Sequence, residues 1–547
     1  MKIKTSTALV YRTLHGWFGL AVGLTLFIAF FAGSLSAFKG PIQLWASPPA
    51  PPLATPLAQT PLLIERALRA HPEAANEFLV MLEPSPAHPG RISWKRPGEA
   101  AGHDSIPPRL FADLDKGGHI KITDDGPSSV AQQIVQLHLK MGLPFDEAIA
   151  MPIAGALSML YFAMLVSGTI ILLPSMASNL FAMRFSGGIK RMWLDLHASL
   201  GLFSLPFHVV MALTAIAFSW QNYIEQVQAV AFGTDSPPLS ASPLPVDPAA
   251  GLMTPQQILS GVARAAPGFK PQALLYKRDA SGRYQVQVLG TDPRYGLRGP
   301  TSGIAGVDPY SGAIISTVRL PGQQDAWRST EANIHALHFG NYGGLPVRWA
   351  YFLLGLGGCG LIFSGNLLWI ESRRRKSRKG DAGPVAQPRS TRLLGALGVG
   401  APLGCIAGIA ATIAAAKLLT GVVADLPGWH LRIYYALFGV ALLWPFVRGV
   451  ARGGIELLFL TAGMLALIPL TSLASALVPI GWNHGLAGLP IDITALAGAV
   501  IALMMAKRVK LRSRSEPTDS LWHIPEGNRT NAADRAGFAD EGGQVAH

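Results

Sequence analysis

The sequence predicts a polytopic α-helical integral membrane protein of about eight spans: a duplicated 2+2 helix core, two small periplasmic α/β modules and a C-terminal four-span unit. Three observations carry this. Half of the 547 residues are hydrophobic and only 14% are charged, a balance that excludes disorder and points to a chain buried in lipid. Apolar runs of about 20 residues, the length that crosses a bilayer core, recur along the chain. The cations behind the net charge of +13 cluster beside those runs. That is the pattern of cytoplasmic loops, so the expected partner is the lipid bilayer and nucleic acid is excluded.

In chain order, Lys2, Lys4 and Arg12 flank an apolar run from about His15 to Phe38. A secretory h-region is only about 7–15 residues, so the run reads as an uncleaved first span with a cytoplasmic N-terminus. That span takes residues 1–40, and 41–147 form a linker and the first module. Pro41–Pro61 is rich in proline and alanine and reads as extended. A helix is expected at Pro61–His71, strands near Phe78–Leu82 and Arg91–Trp94, and a hairpin turn over 111–118. Val130–Lys140 is a short amphipathic helix that carries His138 and is broken by Gly142-Leu143-Pro144. The second span lies within 148–174, and 175–220 hold an inner loop, marked by Arg184, Lys190 and Arg191, and a third span.

Residues 221–345 form the second module. Thr254-Pro255-Gln256-Gln257 opens a helix, Tyr284–Leu289 alternates as a strand, and Gly306–Gly312 is a strand and turn before the strand Ala313–Val318. Ala332–Phe339 is a short helix broken by Gly343-Gly344-Leu345-Pro346. The fourth span, 346–371, ends in a basic cytoplasmic loop, 372–393. Four further spans, near 394–416, 431–448, 455–479 and 489–506, fill 394–507. Residues 508–547 are a cytoplasmic polar tail, expected to be disordered after Arg514.

An internal repeat runs through this order. Leu14-His15-x-x-x-Gly19-Leu20 matches Leu196-His197-x-x-x-Gly201-Leu202. Leu137-His138 before Gly142-Leu143-Pro144 matches Leu337-His338 before Gly344-Leu345-Pro346. Each half, about 1–186 and 187–380, runs span, module, Leu-His helix, span in the same sense. That is a parallel repeat about an axis along the membrane normal.

The third span, 190–220, holds His197 and His208. Eleven residues are three turns plus about 20°, which stacks both imidazoles on one helix face about 16 Å apart. The bland reading is two histidines hydrogen-bonded inside a bundle. Two in this register at membrane depth, with more at other helix ends, favour axial ligands for two haems. No Cys-x-x-Cys-His is present, and Cys359 and Cys405 lie in apolar runs, so any haem is b-type. On this reading the repeat mates His15 and His197 clamp one iron at the cytoplasmic ends of their spans. His208, near mid-membrane, shares a second with His138 or His338, repeat mates at the outer face.

Five candidates, His15, His138, His197, His208 and His338, thus serve at most four axial positions, and one is a bystander or a gate near substrate. His335 reads as a surface residue, and His430 and His484 as outer span ends. Asp195 either orients His197 or carries protons, or is a solvated cap. Imidazole also suits zinc or copper, but no carboxylate or thiol is spaced to complete a set with His335-x-x-His338. Gly355-Leu356-Gly357-Gly358 reads as a small-residue helix contact. No P-loop, H-E-x-x-H or G-x-S-x-G motif is present.

At these residues the chain resembles the PepSY-associated transmembrane family, over about residues 8–375. The resemblance rests on Leu14-His15-Gly16-Trp17-Phe18-Gly19-Leu20, Asp195-Leu196-His197 with Gly201-Leu202 and Phe207, Val307-Asp308-Pro309-Tyr310-Ser311-Gly312, and Leu337-His338 before Gly344-Leu345-Pro346. Some members look like inner-membrane ferric-siderophore reductases with two b-type haems. The resemblance therefore implies PepSY-like periplasmic modules and a haem-bearing four-helix core. The usual Thr-Gly after the span-three histidines is Thr214-Ala215 here, a change expected to affect packing more than ligation. The last four spans lie outside the resemblance.

The expected function is that of a di-haem b oxidoreductase in the bacterial inner membrane, with both termini cytoplasmic. Electrons would enter near His15 and His197, reach the outer haem and reduce a periplasmic ferric siderophore, releasing Fe(II). No flavin or nicotinamide domain is recognisable, so the donor is a quinol, a flavin or a reductase partner. The rival readings are a non-enzymatic PepSY-type protein that binds peptides or regulates a protease, and a siderophore transporter. Haem content separates the first reading from both.

Overall fold

A backbone in lipid must satisfy its own hydrogen bonds, so each long apolar run becomes a helix. The computed structural model describes residues 5–48, 55–83, 88–96, 109–123, 128–175, 189–232, 251–279, 281–296, 301–375, 387–478, 482 and 485–524. Arg184, residues 376–379, His484 and the tail from 525 lie outside the described residues, as does 49–54 of the linker.

The first span is α1 (Thr5–Ser36), followed by the two turns of α2 (Lys39–Ala46) and by α3 (Thr60–Ala70). Four strands come next: β1 (Glu77–Met81), β2 (Ile92–Lys95), β3 (Arg109–Leu114) and β4 (Ile120–Thr123). Then α4 (Val130–Leu139) leads into the span α5 (Glu147–Leu172). The second half opens with α6 (Ile189–Phe203) and α7 (Leu205–Ser219), then α8 (Gln221–Phe232) and α9 (Pro255–Ala265). Its strands are β5 (Lys270–Arg278), β6 (Tyr284–Thr291), β7 (Ser302–Val307) and β8 (Ile314–Arg319). After them come α10 (Ala326–Phe339) and the span α11 (Gly344–Arg373). Four long helices close the chain: α12 (Arg389–Leu418), α13 (Leu426–Arg448), α14 (Val450–Leu477) and α15 (Leu489–Ser515). Among the described residues seven helices are long and apolar enough to cross a membrane, and α6 with α7 makes an eighth if counted as one bent span. The chain is a polytopic, mostly helical membrane protein.

Four expectations are corrected. The third span is not one straight helix: α6 and α7 meet at 66°. Pro206 explains the break, since its ring opposes the preceding turn and it has no N–H for the Leu202 carbonyl, while the Ser204 N–H and Oγ both donate to the Leu200 carbonyl, at 3.0 and 2.6 Å. The two modules are not separate: their strands form one eight-stranded sheet, order β4-β3-β2-β1-β5-β6-β7-β8. Antiparallel pairing of β1 with β5, Phe78 opposite Tyr276, makes the joint. Third, residues 41–46, the start of the segment read as extended, are helical and belong to α2. Eight residues hold a helix only with tertiary help, which comes from burial of Ile42, Trp45 and Ala46. Fourth, residues 516–524 are ordered against the bundle, with Trp522 Nε1 donating to Glu371 at 3.2 Å and Gln387 Nε2 to the Asp519 carbonyl at 2.7 Å.

The sheet obeys the period-2 rule. Phe78, Val80, Trp94, Leu274, Tyr276, Val286 and Val288 face one way and pack with Leu63 of α3 and Ile258 of α9. Glu77 is ion-paired with Lys95 at 3.3 Å and Lys277 at 3.4 Å. His88 packs edge-on to Phe111. Its loss of solvent, then the nearby Arg109 charge, push its pKa from 6.5 down to about 4. The unfolded chain therefore binds this proton first as pH falls, and stability drops between about pH 6.5 and pH 4. Thermal unfolding across that range should show the slope, and His88→Gln should flatten it; an unchanged slope would remove His88 as its source.

Candidate functional site

All five predicted histidines lie within the described helices, and each has its Nδ1 engaged. His15 on α1 donates Nδ1–H to the Met164 carbonyl at 3.0 Å. His197 on α6 does the same to the Leu361 carbonyl at 3.1 Å, with Ser364 Oγ also at 3.1 Å. His138 on α4 donates to the Ala29 carbonyl at 2.8 Å. His338 on α10 meets Thr214 Oγ1 at 2.8 Å, and that hydroxyl donates its own proton to the Val210 carbonyl at 2.7 Å. A carbonyl only accepts, and a hydroxyl whose proton is spent also accepts. His15, His138 and His197 are therefore fixed as the Nδ1–H tautomer, with the lone pair on Nε2, and His338 takes the same form while the Thr214 proton stays on the Val210 carbonyl. That is the form in which histidine ligates a metal, with its other nitrogen held by a neighbouring acceptor.

His208 differs. Its Nδ1 meets a hydroxyl, Tyr161 Oη at 2.7 Å, which does not dictate a tautomer. Its Nε2 is buried with no hydrogen-bond partner among the described residues.

The fold brings the repeat mates together. His15 and His197 have ring centroids 6.2 Å apart, and His138 and His338 have theirs 5.8 Å apart. Two imidazoles on one metal, each nitrogen about 2 Å from it, come to a centroid separation of roughly 6 Å. The expected sharing of His208 with His138 or His338 is not the pairing seen. His208 instead packs against Phe30 at 5.2 Å and Phe207 at 5.4 Å. The bend between α6 and α7 sends His197 and His208 along different axes, so they do not stack on one helix face.

Small residues let the helices close on these rings. A Cβ at Gly33 would lie 2.7 Å from His138 Nδ1, and one at Gly168 2.8 Å from His15 Cε1. A Cβ at Gly358 would lie 3.0 Å from His208 Cε1, and one at Gly365 3.2 Å from His197 Cε1. The expected small-residue contact at Gly355–Gly358 is present, with Gly355 directly against Ser34 and Gly358 against Phe30 and His208.

A cavity of about 780 Å³ runs between the spans from Leu9 and Arg12 up to Phe30 and Tyr161. His15, His197 and His208 all line it, with a largely apolar wall that includes Leu26, Leu165 and Ile362. Its size falls within the roughly 300–1,000 Å³ of a cofactor site. At the other pair, burial first, then the neighbouring His138 and His335, push His338 down to about 3, so it is neutral. His335 stacks on Phe339 and packs at a tilt against Phe218. Asp195 is buried and ion-paired with Arg191 at 3.2 Å.

The residues that hold the imidazoles were not legible beforehand. Tyr161 has no motif around it, and Thr214, given no role of its own in the sequence reading, contacts His338 directly. His430, read as a span end, is fully buried with Nδ1 3.3 Å from Ser129 Oγ at the start of α4.

The chain is similar to an uncharacterised protein of Pseudomonas aeruginosa, 25% identical over 289 residues that make up 48% of this chain and 69% of the relative. The family model of the PepSY-associated TM region matches residues 12–372, which include both histidine pairs and all eight strands but not the last four helices. The chain belongs to the family of the PepSY-associated TM region.

Proposed function

We propose that this chain is a di-haem b oxidoreductase of the bacterial inner membrane that reduces a periplasmic ferric siderophore and releases Fe(II). One observation carries the reading: four histidines in two pairs, each with its Nδ1 hydrogen-bonded to a neighbouring helix, at centroid separations of 6.2 and 5.8 Å. His15 and His197 would hold one haem, His138 and His338 the other, and His208 is the bystander or gate. Haem supplies one-electron transfer across a distance that no side chain spans alone.

The chain's own residues do the rest. The Met164, Leu361 and Ala29 carbonyls and the Thr214 hydroxyl orient the rings and make their nitrogens more basic. The largely apolar cavity wall would pack on the haem disc. A quinol donor would release two electrons and two protons and so reduce two ferric chelates, each taking one electron. The continuous sheet, placed outside the membrane on this reading, is where the chelate would dock, and the two halves of the core would be a duplication.

An optical spectrum of the detergent-purified chain, oxidised and then dithionite-reduced, tests this. Sharp reduced b-type bands at about two haems per chain, reoxidised by a ferric siderophore, are expected. A colourless protein from haem-replete cells would overturn the proposal and leave a binding or transport role.

A further inference from the structure

Resting on that reading, we infer that Arg12, Lys190 and Arg373 form a carboxylate-binding collar that holds the acid arms of the haem between His15 and His197. All three cations line the His15 end of the cavity. The polar wall there adds Thr13 and Ser372, whereas the end at Phe30 and Leu26 is apolar apart from Tyr161 and His208 and carries no charged side chain. Arg12 lies three residues before His15 on α1, about 4.5 Å along the axis. Lys190 lies two turns before His197 on α6, and Arg373 two turns beyond Gly365, the glycine packed on His197.

Haem is an amphiphile: an apolar disc with two carboxylates on one edge. A cavity that is apolar at one end and cationic at the other has the same polarity. The cations are also free to serve. Among the described residues none of the three takes part in an ion pair, whereas the adjacent Arg191 is committed to Asp195 at 3.2 Å. Arg373 is held in place without being neutralised, its guanidinium 3.9 Å over the Trp369 ring, and Trp369 lines the same cavity. Positive charge at a cytoplasmic span end would need no cavity to explain it. The inference rests on three such cations opening onto one apolar chamber that two histidines close.

The test compares haem with its dimethyl ester, which keeps the iron and disc but loses both charges. Each is titrated into full-length chain freed of haem, and binding is read from the absorbance of the ligated form. The wild-type chain is expected to bind the free acid about tenfold tighter than the diester. The triple variant Arg12→Gln, Lys190→Gln, Arg373→Gln should bind both alike, with the spectrum of the ligated haem unchanged. Arg375→Gln, at a basic residue that does not line the cavity, should keep the preference. A preference unchanged in the triple variant, or absent in the wild type, would overturn the collar while the haem reading stands. A chain that binds neither ligand would overturn both.

Discussion

On the di-haem reading, alanine at His15 or at His197 is expected to lower the haem content from about two per chain to about one, and alanine at His138 or His338 to remove the other. The expectation follows from the hydrogen bonds. Removing one imidazole leaves its partner's Nε2 as a single ligand, held by a carbonyl that still fixes its tautomer. An iron held there would become high-spin or be lost, and only one of two low-spin electron paramagnetic signals should disappear. His208→Ala should leave both signals, because His208 pairs with neither set and packs on Phe30 and Phe207 instead. A chain that loses a haem with His208→Ala and keeps both with His338→Ala would refute the pairing. Glycine variants give a second route to the same result. Gly168→Ala places a Cβ 2.8 Å from His15 Cε1, whereas Gly357→Ala meets nothing within 4 Å. The first should disturb the His15 and His197 haem alone, and the second should be silent.

Much of this architecture was legible because its signals are local. Every span was visible, since apolar length in lipid leaves the backbone no alternative to a helix. The five histidines stood out because ionisable groups at that depth are rare. The repeat Leu-His motifs even indicated that His15 and His197 meet. The missing parts depend on contacts between distant segments. The joint of Phe78 with Tyr276 merges two modules into one sheet, yet those residues are 198 positions apart and no local pattern marks an edge strand as paired. Pro206 was in plain sight, but a proline near a helix break and a proline inside a kinked span look alike in sequence. The His138 and His338 pair needed both short helices to turn inward, and hydropathy placed them at the surface. Tyr161 and Thr214 are ordinary span residues until an imidazole arrives from another helix.

Trp45→Ala is expected to be the most destabilising single substitution in α2, by about 3–5 kcal/mol. Trp45 is 1% exposed, and its Nε1 donates to Asp492 at 2.9 Å and to Ser472 at 3.1 Å. The Lys417 ammonium sits 3.7 Å over its ring and donates to Ser472 at 2.9 Å. Truncation opens a cavity and also strips the cover from a lysine that is 2% exposed, so two costs add. Trp45→Phe keeps the ring face and loses only the N–H, and should cost roughly 1–3 kcal/mol. The damage should also be directional. Ser47, two residues beyond Trp45, accepts from the Ser128 amide at 2.9 Å, and Ser129 meets His430 of α13. The last four helices thereby grip α4 and its His138. The other histidine of that pair, His338, is held by Thr214 of α7. Thermal unfolding of the detergent-solubilised chain should show a lower midpoint for Trp45→Ala than for Trp45→Phe, and haem loss on warming should begin at the His138 pair. Equal midpoints for both variants and wild type would mean that the C-terminal helices merely neighbour the family core.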